Sequence, residues 1–255
     1  MAPPFPSPTQ NWHTTTYPSL SPTRPELSAT GKSIVVTGGG TGIGAETARY
    51  FAAAGASRIA LLGRREKPLL DTKASIGAKY PGVEVFTAST DIKKKEDVDA
   101  AFKRFTEDGK YKIDVLISGA AMIGPQVPIK DVDTEKYISS IDTNIHGTIH
   151  VGQAFLKYAA AESVVIDINS SAAHVNFAPG ISAYTVSKMA VVKFWDFLAF
   201  ENEGVRVHHV QPGVIDTDMN KEAGGIELLG FSDDSKSYFY IPFLWPLCLD
   251  LEEGF

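Results

Sequence analysis

Short apolar runs alternate with longer helix-forming stretches along most of the chain, and this alternation limits the fold more than any other feature of the sequence. The runs lack the polar alternation of a strand with one face in water, which indicates strands that are buried on both faces. Helices between such strands supply the two covering layers of a parallel sheet. The predicted strands are residues 33–37, 58–62, 83–86, 113–117, 164–168 and 205–210, and a long helix is predicted from about Asp133 to Ala161, before the fifth strand. The pattern predicts an α/β fold, with a doubly wound parallel β-sheet flanked by helices.

Composition limits the number of domains and the kind of partner. A chain of 255 residues that is 44% hydrophobic is long enough for one large core. No repeat, glycine-serine linker or change in composition marks a second domain. The net charge of −6 and the dispersed Lys and Arg residues argue against nucleic-acid binding. The single cysteine, Cys248, cannot form an internal disulfide, so we expect a reduced, cytoplasmic location.

The first 30 residues differ in composition from the rest and are rich in proline. Proline fixes φ and removes an amide donor, which disfavours both a helix and a central strand. We therefore predict a Pro-rich arm over residues 1–30, either a flexible leader or a partner-binding segment, ahead of a single domain over residues 31–255. The arm lacks the basic start and apolar core of a signal peptide.

The turn between the first predicted strand and the first helix is rich in glycine. Glycines there let a phosphate approach the backbone, and the N-terminus of the following helix attracts its charge. A plain tight turn is the alternative, but the position after a strand favours a dinucleotide site. The predicted cofactor-binding residues of this turn are Gly38, Thr41, Gly42, Ile43 and Gly44.

The glycine spacing, TGxxxGIG, resembles that of the short-chain dehydrogenase/reductase family, classical type. The resemblance covers about residues 33–217. It implies a single-domain Rossmann-like fold, a nicotinamide cofactor and a reaction at CH-OH groups. After the last predicted strand, the segment that begins at Gln211 resembles the Pro-Gly motif of the family, whose threonine contacts the nicotinamide carboxamide. The resemblance assigns to it three cofactor-binding residues, Pro212, Gly213 and Thr217.

The second and third predicted strands are followed by residues that bear on cofactor choice. An acidic residue after the second strand would receive the ribose hydroxyls of NAD(H). This chain has Arg64 and Arg65 instead, which predicts NADP(H) in preference to NAD(H) because a guanidinium pairs well with a 2′-phosphate. Either arginine could equally be a solvated surface charge. Asp91 matches the family position that meets the adenine amino group, and a turn or N-cap aspartate is the alternative.

The loop after the fourth predicted strand departs from the family. Residues 118–121 read Ser-Gly-Ala-Ala where the family has Asn-Asn-Ala-Gly. The backbone contact expected at Ala120 is kept, whereas two amide side chains are missing.

A Tyr-x-x-x-Lys pair follows the fifth predicted strand. Of the nine tyrosines, only Tyr184 has a lysine four residues later, Lys188, and helical spacing places both on one face. A phenol needs nearby positive charge to exchange protons near neutral pH, and Lys188 provides it. The resemblance implies a catalytic tetrad of Asn144, Ser171, Tyr184 and Lys188. Ser170 is the less favoured serine, and the alternative for Asn144 is a buried helix residue that only satisfies backbone groups.

The predicted reaction is hydride transfer between the nicotinamide and a carbonyl carbon, with Tyr184 as general acid/base. No metal is required. The histidines form no ligand pattern with the cysteine and are interpreted as structural or surface residues, although His174 could line a substrate cleft. The predicted partner is a small alcohol or carbonyl compound, with a homo-oligomer left open. The alternatives are a cofactor-binding protein without turnover and a scaffold protein that reuses the fold.

The C-terminal segment from about residue 218 is atypical and shortened relative to the family. It shows no clear seventh strand. Its aromatic stretch, residues 237–247, is too short and too interrupted by proline for a membrane span. It could cover the sheet edge, close over substrate, pack on another subunit or be a divergent tail. The substrate stays open, because fold analogy alone does not choose a molecule.

Overall fold

A computed structural model describes residues 18–176, 178–222 and 224–225 of the chain. Within them, six parallel strands form one sheet with the order β3-β2-β1-β4-β5-β6. The strands are β1 Ser33–Thr37, β2 Arg58–Gly63, β3 Glu84–Ser89, β4 Ile113–Ser118, β5 Ala159–Ile168 and β6 Val205–Val210. The predicted doubly wound parallel sheet is confirmed.

Helices connect the strands and cover both faces of the sheet. They are α1 Gly42–Ala53, α2 Glu66–Lys79, α3 Lys95–Phe105, α4 Thr134–Tyr158, α5 Ser182–Glu201 and the short α6 Asp218–Glu222. In β1, Ile34 and Val36 belong to the core beneath α1 and α2, whereas Val35 belongs to the core beneath α3, α4 and α5. Successive side chains of a strand point to opposite faces, so one apolar run serves two cores.

The last residues of the predicted N-terminal arm are part of the domain. Leu27 and Ala29 are buried in the core beneath α1, and the Ala29 amide donates a hydrogen bond to the Ala54 carbonyl. Thr30 forms an isolated antiparallel bridge with Ala56. The sequence division at residue 30 therefore falls inside the packed region, and the arm before residue 18 lies outside the described residues.

The structure differs from the sequence prediction mainly at element boundaries. The fourth helix was predicted to reach about residue 161, but α4 ends at Tyr158 and β5 begins at Ala159. Alanine favours helix, yet Ala159 pairs with Ile113 in the sheet, so strand pairing overrides local propensity here. Helix α2 begins at Glu66, before Pro68, which is tolerated because a first-turn residue needs no intrahelical amide bond.

Only the first part of the atypical C-terminal segment is described. It contains α6, and the predictions for residues 226–255 lie outside the described residues. Among the helices of the described residues, none is long and apolar enough to cross a membrane.

Candidate active site

The candidate site lies at the carboxyl edge of the sheet, where β1 and β4 are neighbours. From β1 the chain continues to β2 and β3 on one side, and from β4 to β5 and β6 on the other. The connecting helices therefore leave in opposite directions and open a crevice between the two halves. Ligands of such sheets bind in that crevice.

The glycine-rich turn lines one wall of the crevice and leaves no room for side chains. Gly38 has a φ of +73°, and a Cβ there would lie 3.1 Å from the carbonyl carbon of Gly119. Gly42 has a φ of +53°, and its Cβ would lie 2.9 Å from Cγ2 of Thr217. A Cβ at Gly44 would overlap the carbonyl of Gly38. The turn thus offers bare backbone to a ligand.

The N-terminus of α1 points its amides at the same place. Thr41 precedes the helix in an extended conformation, and its side chain makes no capping hydrogen bond. Ile43 follows in the first turn and packs against the core. An uncapped helix N-terminus beside a backbone cradle suits a diphosphate, so the residues present fit the group that the sequence implied.

The loop after β4 forms the floor of the crevice. Thr37, at the end of β1, accepts hydrogen bonds on Oγ1 from the amides of Gly119 at 3.1 Å and Ala120 at 3.2 Å. The same hydroxyl donates to the Ile117 carbonyl at 3.3 Å. One buried threonine therefore holds the backbone at Gly119 and Ala120, directly after the positions 118 and 119 where the family's two amide side chains are missing.

The two arginines after β2 are exposed and differ in their contacts. Arg65 pairs with Asp218 of α6, Nη2 to Oδ2 at 3.0 Å, and Nη2 also reaches Oγ1 of Thr41 at 3.4 Å. The carbonyl of Arg64 accepts a hydrogen bond from Ser89 Oγ at 3.0 Å. Arg65 is therefore the arginine whose side chain contacts the glycine-rich turn. Asp91 accepts a hydrogen bond on Oδ1 from the amide of Lys93 at 3.0 Å. This is the contact of a turn aspartate, which was the alternative to an adenine contact.

Tyr184 and Lys188 lie on the first half of α5. Nζ of Lys188 donates a 2.6 Å hydrogen bond to the carbonyl of Ile168, at the end of β5, and lies 5.9 Å from the Tyr184 ring centroid. Burial raises the pKa of Tyr184 to about 12, against a hydrogen bond to Ser170 that lowers it, and the charge of Asp167 adds to the rise. Burial lowers the pKa of Lys188, and Asp167 opposes that change. The pair is thus a buried phenol beside a buried amine.

The serines before α5 occupy different places. Ser170 contacts Tyr184, and its Oγ accepts a hydrogen bond from the amide of Ala172 at 3.1 Å. Ser171 donates its amide to Oε1 of Gln211 at 3.3 Å. The structure therefore brings Ser170, the less favoured serine of the sequence analysis, to the phenol.

Asn144 is buried in α4 and ties two elements together. Its amide group exchanges two hydrogen bonds of 2.9 Å with the backbone of Met122 and donates one of 2.8 Å to Oγ of Ser187. The loop after β4 is thereby held to α5. These contacts match the alternative in which Asn144 satisfies backbone groups.

The segment after β6 closes the crevice over the glycine-rich turn. Pro212 is buried, and Gly213 has a φ of +82°. Thr217 contacts Gly42 and accepts a hydrogen bond from the amide of Asn220 at 3.2 Å, at the start of α6. The three predicted positions of the Pro-Gly motif thus lie beside the cradle or lead to it.

A cavity of about 590 Å³ opens beside the loop that follows β4, and none of the described residues that line it belongs to α5. Its wall is the loop of residues 122–126, the start of α4 and Glu222. The loop is packed against the tyrosine helix, since a Cβ at Gly124 would lie 3.8 Å from Cβ of Ala183. This cavity is the candidate substrate space. His174, which the sequence suggested for a substrate cleft, is exposed.

Sequence reasoning missed the polar groups behind Lys188. Asp167 of β5 accepts a hydrogen bond on Oδ2 from Nδ1 of His209 at 3.0 Å, and Nε2 of His209 lies 3.2 Å from Asp196. The signal was an aspartate inside an otherwise apolar strand. Within the described residues, no group of three His, Cys, Asp or Glu side chains has the arrangement of a metal site.

Comparison with known proteins decides the family. A model of the family described as short chain dehydrogenase matches residues 32–225. The chain belongs to the short-chain dehydrogenase/reductase family. A short chain dehydrogenase/reductase of Claviceps purpurea is 30% identical over 217 residues, which cover 84% of this chain and 72% of the relative. The sorbose reductase of Schizosaccharomyces pombe is 30% identical over 197 residues, 76% of each chain.

Solved structures of this family share the fold. A short-chain dehydrogenase/reductase from Mycobacterium marinum superposes with a TM-score of 0.70 at 26% identity, over 78% of each chain. An alcohol dehydrogenase from Thermococcus sibiricus, solved with 5-hydroxy-NADP, gives a TM-score of 0.67 at 26% identity, over 72% of this chain and 77% of its own. The protein is thus an oxidoreductase of a family that uses a nicotinamide cofactor and acts on small molecules.

Proposed function

We propose that this protein is an NADP(H)-dependent oxidoreductase that interconverts a carbonyl compound and the corresponding alcohol, with Tyr184 as the general acid/base. The observation that carries the proposal is the Tyr184-Lys188 pair at the start of α5. Its lysine binds the carbonyl of Ile168 at the carboxyl edge of the sheet, and its tyrosine contacts Ser170. A phenol beside an amine at this edge is suited to exchanging a proton at a substrate oxygen.

The cofactor would lie across the crevice. Its diphosphate would rest on Gly38, Gly42 and the N-terminus of α1, where added side chains would collide. The nicotinamide end would lie near Thr217 and the tyrosine pair. When bound, the nicotinamide supplies or accepts the hydride at the carbonyl carbon.

Tyr184 would give the proton to the carbonyl oxygen in reduction and take it in oxidation. With its pKa raised to about 12, the phenol holds its proton too tightly to lose it easily near pH 7. A protonated Lys188 would favour the phenolate electrostatically. The hydroxyl that assists at the substrate oxygen would come from the serine pair: Ser171 by the family pattern, Ser170 by its contact with Tyr184. Asn144 would keep the loop after β4 against α5.

The preference for NADP(H) rests on the arginines after β2. Arg65 is exposed and reaches Thr41 of the glycine-rich turn, and its ion pair within the described residues is with another exposed side chain, Asp218. A phosphate with two negative charges would compete well with that single carboxylate. Arg64 would add a second positive charge, and Asp91 would approach the adenine.

The cavity beside the loop after β4 supports a small alcohol or carbonyl substrate. Its wall combines the apolar side chains of Met122, Ile123 and Pro125 with the polar ones of Gln126, Glu135 and Lys136. A volume of about 590 Å³ suits a molecule larger than a simple alcohol.

We place the protein in the cytoplasm because its single cysteine shows no adaptation to an oxidising compartment. A homo-oligomer is favoured by the large apolar side chains on the outer face of α5, where Met189, Phe197 and Phe200 are exposed. Phe200 is 83% exposed. An apolar face of this kind is typical of an interface.

A cofactor-binding protein with little turnover is the second candidate. It is favoured by the raised pKa of Tyr184 and by the placement of Ser170, rather than Ser171, at the phenol. The two candidates share the cofactor cradle and differ in whether Tyr184 transfers a proton.

Thermal-shift titration with NADPH and NADH, followed by a screen of carbonyl compounds, tests the proposal. Greater stabilisation by NADPH is the expected result, since a ligand that binds only the folded state raises its stability. Carbonyl-dependent NADPH oxidation by the wild type that is lost in Tyr184→Phe supports the enzyme. NADPH binding without turnover across the screen favours the second candidate, and a preference for NADH contradicts the cofactor assignment.

A further inference from the structure

A carboxylate is buried inside the sheet directly behind the candidate active site. Asp167 is the ninth of the ten residues of β5, and it is only 1% exposed. Its neighbours Ile166 and Ile168 are apolar and buried. An isolated carboxylate in such surroundings is costly unless hydrogen bonds and opposite charge compensate it.

The hydrogen bonds of Asp167 converge on one of its oxygens. Oδ2 accepts from Nδ1 of His209 at 3.0 Å and from the side-chain amide of Asn169 by a short bond. Oδ1 is buried and has no hydrogen-bond partner within the part of the chain that the structure describes. The carboxylate is therefore held in position through one oxygen, and these hydrogen bonds compensate only part of its buried charge.

The buried amine of Lys188 lies on the same end of β5. It is 6% exposed, and its Nζ donates to the carbonyl of Ile168, the residue after Asp167. Asn169, which binds Asp167, also lies 3.4 Å from the Lys188 carbonyl. Burial lowers the pKa of Lys188 and the charge of Asp167 raises it, so the carboxylate favours the ammonium form.

We propose that Asp167, held by His209 and Asn169, is the buried counter-charge of Lys188 and acts as a positioning residue that keeps the ammonium charged behind Tyr184. This inference rests on the proposed function, because it explains how a buried amine serves the tyrosine. Asp167 is buried inside the sheet and would act through Lys188.

Other charged groups face this cluster and set the charge of His209. Burial lowers the pKa of His209, but hydrogen bonds and charges from Asp167 and Asp196 outweigh burial, so the net change is a rise. Asp196 on α5 is half exposed and lies 3.8 Å from Lys193. Arg206 and His208 lie on the same strand as His209. On α5, the charge of Asp167 raises the pKa of Tyr184. His209 is therefore held between two carboxylates, Asp167 and Asp196.

The first test measures the charge pair without turnover, by melting temperatures of the purified full chain at pH 7. Asp167→Asn keeps the shape and hydrogen-bond acceptor of the side chain and removes its charge. Lys188→Met removes the ammonium. Each single variant leaves one buried charge without its partner. We therefore expect the loss of melting temperature in the double variant to be smaller than the sum of the two single losses by about 3 °C or more. Additive losses would overturn the proposal.

A matched control uses His208, the neighbour of His209 on β6. His208→Asn combined with Lys188→Met is expected to be additive to within about 1 °C, because successive side chains of β6 point to opposite faces of the sheet and His208 therefore points away from the face of His209. If Asp167→Asn does not fold alone, the double variant remains informative. A folded double variant beside an unfolded single variant supports the charge pair.

The second test is the pH profile of kcat/KM for carbonyl reduction. Removing the anion lowers the pKa of both Lys188 and Tyr184, so Asp167→Asn should move the alkaline limb to lower pH by about one unit or more. His209→Asn keeps an amide donor to Asp167 and leaves the carboxylate charged, so it should move that limb much less than Asp167→Asn does. A limb that does not move in Asp167→Asn contradicts the inference.

The two tests separate this inference from the proposed function. If the wild-type protein shows no turnover, the proposed function is contradicted. The melting temperatures of the single and double variants then still test the charge pair. Turnover with additive melting temperatures and an unmoved limb would keep the function and overturn the role of Asp167.

Discussion

The two halves of the candidate site handle charge in opposite ways. In the half that would hold the cofactor, Arg65 after β2 pairs with Asp218 of α6, and their side chains are 64% and 57% exposed. In the half that would hold the reacting groups, Asp167 and Lys188 are both buried. Water screens the first pair and leaves it free to exchange partners, whereas the second is locked in low-dielectric surroundings. The first arrangement suits a ligand that comes and goes, and the second suits chemistry that needs a constant field.

The largest expected effect comes from the buried half. Tyr184→Phe removes the proton donor and keeps the ring, so we expect kcat for carbonyl reduction to fall by about 100-fold to 10,000-fold. NADPH binding, measured by thermal shift, should change little, because the glycine cradle is untouched. Residual turnover near the wild-type rate would contradict the proposed role of Tyr184 and weaken the contrast between the two halves.

A steric change in the cradle should come next. Gly42→Ala puts a Cβ 2.9 Å from Thr217 at a residue with a φ of +53°, which strains the turn that would hold the diphosphate. We expect the Kd for NADPH and for NADH to rise together, by about tenfold or more, in fluorescence titrations. Gly77→Ala is the matched control, because a Cβ at Gly77 meets no atom within 4 Å among the described residues.

Loss of Arg65 should separate the two cofactors. Arg65→Ala is expected to weaken NADPH binding by about tenfold, since a charge-assisted contact to the 2′-phosphate contributes more than a neutral one, and to leave NADH binding nearly unchanged. Titration of the variant with both cofactors is the measurement. Equal losses of affinity for NADPH and NADH would mean that Arg65 supports the glycine-rich turn and does not bind the 2′-phosphate.

The smallest effect is expected at Asp218. Asp218→Asn removes the exposed competitor for Arg65, so NADPH should bind about twofold to fivefold more tightly at low ionic strength, and the gain should fade as salt screens the pair. Lys67 and Asp71, a more exposed pair on α2, provide the control, and Asp71→Asn should leave NADPH affinity unchanged. Weaker NADPH binding in Asp218→Asn would contradict the role of Asp218 as a competitor for Arg65.

Local sequence signals predicted the parallel sheet and the glycine-rich turn well because they depend on short-range chemistry. Apolar runs must be buried, and a turn that needs positive φ selects glycine at Gly38 and Gly42. The i, i+4 spacing likewise determined that Tyr184 and Lys188 share a helix face. The boundary between α4 and β5 was predicted wrongly, since the pairing of Ala159 with Ile113 comes from a distant part of the chain.

The choice between Ser170 and Ser171 shows where local signals end. Two adjacent serines have the same side chain and differ in which way that side chain points. That direction depends on how the turn after β5 packs against Gln211 and Tyr184. The partners of Arg65 and Asp167 also lie far away in the chain: Asp218 is 153 residues from Arg65, and His209 is 42 residues from Asp167.

The sequence by itself determined the α/β class, the apolar strands, the glycine-rich turn and the tyrosine-lysine spacing. Each of these follows from backbone conformation or from neighbours within one element. Only the tertiary structure decided that Asp167, His209 and Asp196 form one cluster behind Lys188, and that Arg65 meets Asp218 across the crevice. Burial and long-range charge depend on which strands and helices become neighbours, and that is a property of the packed sheet as a whole.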